Sequence, residues 1–171
     1  MNFSMKCEII DHGDYIEFSK PLDGIIMVHK GFISDFDWER ANEYAKNLRV
    51  GGFDDWQIPL IDELITLKKN LTMIDSNLGL FWSSSVFVNY EATELQEYDI
   101  YYRLLLDIES EKRIKKLFRI VESSYNDIIQ SSVQNELDTE EEMCLAKVMC
   151  IRVSKDKKLN REKDQLLYYY E

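Results

Sequence analysis

"WERANEYAKNLRVGGFDDWQIPLIDELITL", residues 38–67, decides how the chain folds. Trp38, Ala41, Ala45 and Leu48 recur at three- and four-residue steps, which is one face of a helix. Asp35 or Asp37 just before it can cap the exposed N–H groups of its first turn. Gly51 and Gly52 are expected to end that helix, because glycine readily takes the left-handed stop conformation. Pro59 is expected to open a second helix at a first-turn position, where its missing N–H costs little. Asp62 and Glu63 follow near that helix's positive end, and Ile61, Leu64, Ile65 and Leu67 give it an apolar side. Between the helices lies an aromatic and acidic knot of Phe53, Asp55 and Trp56.

The regions on either side read as strands. "CEIIDHGDYIEFSKPLDGIIMVHKG" has short β-branched and aromatic runs broken at His12-Gly13-Asp14 and at Pro21-Leu22-Asp23-Gly24, so two or three strands are expected. "LFWSSSVFV" after Gly79 reads as another, with Trp82 and Phe87 as its bulky members. "DIYYRLLLDIESEKRIKKLFRIVES" reads as a β-hairpin turning at Glu109 to Lys112, with a helix from Glu111 as the competing reading. "SSYNDIIQSSVQNELDTEEEM" is expected to be an acidic surface loop. "MCLAKVMCIRVSK" returns to alternation and implies a final strand to which Leu145, Val148 and Ile151 contribute. The expected organisation is one domain over residues 1–155 and a charged, then aromatic, tail over 156–171.

Composition bounds the function. The 171 residues suit one domain with a real core. A net charge of −11 argues against general nucleic-acid binding, because the phosphate backbone would repel the chain. No apolar run approaches the roughly 20 residues of a membrane span, and the opening residues lack a secretory pattern. Three cysteines, Cys7, Cys144 and Cys150, do not make a disulfide scaffold, and a reducing, cytoplasmic setting is expected.

The motif-bearing residues resemble a known family. Trp38, Glu39, Ala41, Tyr44, Leu48, Gly51, Gly52, Phe53, Asp55, Trp56, Pro59, Glu63, Leu64, Trp82, Ser83, Ser84, Cys150 and Arg152 fall on the pattern of the domain family named after the C-terminal domain of the Lcl adhesin. The resemblance covers most of residues 8–90 and then the terminal strand. It implies an α+β chain with a C-type-lectin-like fold: two helices on small twisted antiparallel sheets, with a long loop-rich region. It also implies that a family cysteine, replaced here by Ala45, would pair with Cys150. Gln57 stands where the family usually has arginine, and Ile58 where it has leucine.

Several readings of the site remain open at this level. Trp56 and Trp82 either stack on sugar rings or fill the core, and packing is the favoured reading. Asp55 either binds a ligand or accepts backbone N–H bonds in its turn, the second being favoured. Ser83, Ser84 and Ser85 lack the surroundings of a nucleophile, and only His12 and His29 could serve as a base. Asp138 to Glu142 lacks the glycine and spacing of a calcium loop, and neither a metal nor a cofactor is expected. Formylglycine-generating oxidases are distant relatives of such a fold, but Cys144 and Cys150 are too far apart to pair.

The expected function is therefore a non-enzymatic module recognising an intracellular protein, with an inhibitor or immunity-type protein as a narrower version. Calcium-independent glycan binding is the alternative. The candidate contact residues are Lys112, Arg113, Lys115, Lys116 and Arg119 of the basic run and Tyr168, Tyr169 and Tyr170 of the tail. They belong to a surface expected to run from Glu91 to Glu142 with the C-terminal tail. The basic run either meets an acidic partner or neutralises the loop Glu136 to Glu142. "LLYYY" either docks back on the domain or joins another chain, which would make a homo-oligomer.

Overall fold

The computed structural model describes residues 7–71, 79–92, 97–122 and 145–168. Three strands, β1 (Ile9–Asp11), β2 (Tyr15–Leu22) and β3 (Ile25–His29), open the chain as an antiparallel meander. Asp23 and Gly24 make its second turn, both at positive φ (48° and 87°), and Leu22 pairs with Ile25 across them. Two left-handed residues match the natural twist of a hairpin, and Asp-Gly is a favoured pair for them.

β4 (Ile33–Phe36) leads into α1 (Trp38–Asn47). Asp37 is the cap, its carboxylate accepting from the Arg40 N–H at 2.8 Å. The helix stops earlier than the glycines suggested, at Leu48. Arg49 ends it: the guanidinium donates to the Lys46 and Leu48 carbonyls at 2.8 and 2.9 Å, supplying partners that helix ends lack. Gly51 serves instead in a separate short turn, Val50–Gly52, with φ 68°. A Cβ there would lie 2.7 Å from the Tyr15 ring, so both backbone and packing require glycine.

α2 (Ile61–Asn70) also begins later than expected, with Pro59 outside it and Leu60 at the cap. Glu63 accepts from the Leu60 N–H at 2.8 Å, and the Ser85 hydroxyl accepts from the Ile61 N–H at 2.9 Å. The hydroxyls of Ser83 and Ser85 thus serve as joints. Ser83 donates to the Leu104 carbonyl, and the Ser84 N–H donates to the Pro59 carbonyl.

β5 (Leu80–Ala92), β6 (Glu97–Asp107) and β7 (Arg113–Glu122) form a long antiparallel meander. Residues 97–107 and 113–122 are therefore the two strands of the expected hairpin. The turn between β6 and β7 falls at the expected Glu109 to Lys112, and no helix starts at Glu111. The expected single terminal strand is two: β8 (Ala146–Val148) lies between β4 and β5, and β9 (Ile151–Val153) joins β3. Val148 and Ile151 are buried, but Leu145 is exposed and outside the core.

The tail is structured as far as it is described. Residues 155–165 form α3 (Lys155–Gln165), and β10 (Leu166–Tyr168) pairs in parallel with Val86–Val88 of β5. The described part of "LLYYY" therefore docks back on its own sheet, while Tyr169 and Tyr170 lie outside the described residues. The result is an α+β architecture of two sheets, β1-β2-β3-β9 and β4-β8-β5-β6-β7 with β10 beside β5.

The large sheet serves two apolar cores because successive side chains alternate faces. Leu104 and Leu106 join Phe81, α2 residues Leu64 and Leu67, and small-sheet residues Ile16, Ile25 and Val28. Leu105 faces the other way, with Trp82, Trp56, Ala41, Ala45 and Cys150 beneath α1. Each large side chain so buried contributes roughly 1.5–3 kcal/mol.

Candidate functional site

The residues between the two signature helices are mainly a scaffold. Trp56 is 3% exposed and Trp82 1%, so neither presents a face for sugar stacking. Both indoles also spend their N–H inside the protein, Trp56 on the Val50 carbonyl and Trp82 on the Phe36 carbonyl. Asp55 does not chiefly serve its own turn. Its carboxylate accepts both Nε and Nη2 of Arg152, the latter at 3.2 Å, and that guanidinium lies 3.7 Å over the Phe53 ring. This arginine beside Asp55 holds its carboxyl below the usual carboxylate range. Gly51, Phe53, Asp55, Trp56 and Arg152 are thereby one fastening between the central turn and β9.

Cys150 is a free, buried thiol in the same core as Ala45, and burial pushes it up to about 12. A thiol so poorly ionised is a weak nucleophile. Cys144 and the run Asp138 to Glu142 lie outside the described residues. His29 is buried against Trp56, its Nδ1 without a partner, and burial lowers its pKa.

A groove opens on the α1 side of this scaffold, with a volume of about 330 Å³. Trp38, Asn42, Ala45 and Lys46 line it from α1, while Lys158, Arg161 and Gln165 line it from α3. Trp38, Asn42 and Ala45 follow four- and three-residue steps, and Lys158, Arg161 and Gln165 do likewise, so each helix offers one face. Trp56, Gln57, Ile58 and Ser84 complete the lining. Its walls are braced. The Arg103 guanidinium lies 3.8 Å over Trp38, which also meets Trp82 edge-on, and Arg161 bonds Glu63 at 2.6 and 2.9 Å and the Ile58 carbonyl at 2.8 Å. Burial lowers Arg103 to about 10, which leaves it charged at neutral pH.

The expected basic patch is divided by the strand it sits on. Opposite Leu104, Lys115 projects to the α2 side, with its ammonium 4.0 Å over Phe87. Arg113 pairs there with Asp62 at 3.3 Å, whereas Lys116 stands opposite Arg103 on the other face. Lys112 is exposed in the turn, and Arg119 stands opposite Tyr101 in the register. Tyr168 stands beside Val88, remote in sequence from the basic strand and on the opposite side of β5 from β6. Those predicted contact residues that are described thus occupy two edges of the sheet rather than one surface. The acidic loop invoked to neutralise the basic run lies outside the described residues. Asp62 of α2 is the partner the structure provides for Arg113.

A wider recess of about 550 Å³ lies between the β2–β3 turn, α2 and α3, where Asp23, Asp62, Asp156 and Asp164 gather. Among the described residues no group of three or more potential ligands could hold a metal ion. Also among these residues, no helix is long and apolar enough to cross a membrane. The groove itself was missed from sequence because one of its two helical walls is α3. Its signal was present: Lys158, Arg161 and Gln165 repeat on one helical face of a segment that reads simply as charged.

No protein-family model matches this chain, and no curated protein or solved structure shows significant similarity to it.

Proposed function

We propose that the chain is a non-enzymatic recognition module of C-type-lectin-like fold that binds a protein partner at the β6–β7 hairpin. The fold reading is supported by two helices that flank the Gly51-to-Trp56 turn and by the Cys150-to-Val153 segment returning to the N-terminal sheet. One observation carries the contact. Among the described residues β7 has β6 as its sole strand neighbour, and this open edge carries Arg113, Lys115 and Lys116 in a chain of net charge −11. Backbone groups along such an edge can pair with an added strand, and the alternating cations favour an acidic one. The buried indoles weigh against glycan stacking at Trp56 and Trp82. A low-ionisation thiol at Cys150 weighs against cysteine-dependent oxidation there.

The test is quantitative capture by the tagged chain and by its Lys115→Glu, Lys116→Glu, Arg119→Glu variant. Any enriched protein is then purified and titrated against both forms. Micromolar or tighter binding by the parent, weakened about a hundredfold in the folded variant, is the expected result. Equal binding by the two forms removes the hairpin, and failure of every purified candidate to bind removes protein recognition.

A further inference from the structure

The groove between α1 and α3 has a chemistry of its own, independent of the β7 edge. We propose that it is a binding site for a small organic anion with a flat, apolar body. Its floor and walls are apolar where Trp38, Ala45, Trp56 and Ile58 contribute, and amide-bearing where Asn42, Gln57 and Gln165 do. Its charged lining is cationic throughout: Lys46 from one helix, Lys158 and Arg161 from the other. Two carboxylates engage this group from outside the lining, Asp55 at 3.8 Å from Lys158 and Glu63 on Arg161. Lys46 makes no ion pair with a described residue. Positive charge therefore remains over after the internal pairs are counted, in a protein whose total is −11. A groove that gathers cations within an acidic chain concentrates a small anion against the average field of the molecule.

A second observation points to an occupant. The Ser84 hydroxyl, on the groove lining, is shielded from solvent and has no hydrogen-bond partner in the protein. Groups in that state are uncommon and ordinarily find a partner in water or ligand. Its neighbours Ser83 and Ser85 are both used structurally, which leaves Ser84 as the member of the run whose hydroxyl has no partner in the protein. The site is also pre-formed, with Trp38 clamped by Arg103 and Trp82, and Trp56 fixed through the Val50 carbonyl. Pre-formed walls reduce the ordering cost of binding. A volume of about 330 Å³ sits at the lower end of small-molecule sites, which suits a single ring system bearing one acid group.

The probe is indole-3-carboxylate, followed through the three tryptophan indole N–H resonances. Saturable shifts are expected at the Trp38 and Trp56 signals, with little change at Trp82, which lies outside the groove. The uncharged indole-3-carboxamide and inorganic phosphate should each bind about tenfold more weakly, because each lacks one half of the recognised chemistry. Lys46→Met with Lys158→Met should weaken the carboxylate about tenfold while leaving the amide unchanged. Both lysines are surface cations, so this variant keeps the buried Arg161 pair and its fold, which the unchanged spectrum of the free protein verifies. Absence of a saturable shift at millimolar probe overturns the proposal. Equal shifts of all three indoles, or carboxylate binding indifferent to the lysine pair, overturn it as well.

Discussion

Two arginine–carboxylate pairs tie the C-terminal segment to the central turn and α2, and they differ in their surroundings. Arg152 meets Asp55 at the partly buried turn, where the carboxylate is 24% exposed, and Arg161 meets Glu63 inside the protein, where the glutamate is 1% exposed. The outer pair keeps contact with water and adds a stacked phenyl ring. Everything the inner pair gives up in hydration must be replaced by protein, through the Leu60 N–H on Glu63 and the Ile58 carbonyl on Arg161. The lesson is that equal chemistry does not imply equal cost of loss. Removing one partner of a buried pair strands the other charge, whereas an exposed partner falls back on solvent.

Arg161→Met is expected to have the largest effect, a loss of about 3–5 kcal/mol measured by denaturant unfolding, because it leaves Glu63 charged and unpaired. Combining it with Glu63→Leu should recover much of that loss; no recovery would show that the pair's geometry, not the stranded charge, sets the cost. Asp55→Asn is expected to cost about 1–2 kcal/mol, since Arg152 remains partly hydrated over Phe53. A loss as large as that of Arg161→Met would erase the distinction between the pairs.

Acid sharpens the comparison further. The folded pKa of Asp55 is lowered from 3.8, so its contribution is complete above that value and is lost as pH falls through the folded pKa. His29 is lowered from 6.5 by burial, so the folded state favours the neutral ring. Its contribution is complete above about pH 6.5 and declines as pH falls towards its folded pKa, because the unfolded state then binds the extra proton. Unfolding free energies measured across both windows should show two separate declines, and His29→Gln should flatten the upper one. The smallest effect expected is that of Lys158→Met, below about 0.5 kcal/mol, since its ammonium is 3.8 Å from Asp55 and exposed.

The same contrast explains what could be read from sequence. The face of α1 was legible because Ala41 and Ala45 are buried at helical spacing, and Asp37 caps where a capping residue belongs. The end of α1 and the start of α2 were not, since Arg49 and Ser85 supply partners through side chains whose targets depend on the folded arrangement. The packing role of Trp56 and Trp82 was legible from their size, and the Asp55–Arg152 pair was not, because 97 residues separate its members. α3 inverted the usual rule: Leu159 is 83% exposed while Arg161 is 9%. A search for an apolar stripe finds none there, because an ion pair holds that helix in place. With α3 unread, one wall of the groove was unread too.

The division of the last strands between two sheets also fixes an order of events in time. β8 completes one sheet, β9 the other, and Arg152 and Arg161 reach back across 97 and 98 residues. During synthesis, the edges of β3 and β4 stay open until residues beyond 145 have emerged. Contacts of such long range close slowly, and open edges invite pairing with other chains. A nascent chain halted between β7 and β8 would therefore hold most of its apolar residues without either closing strand, a state prone to aggregation.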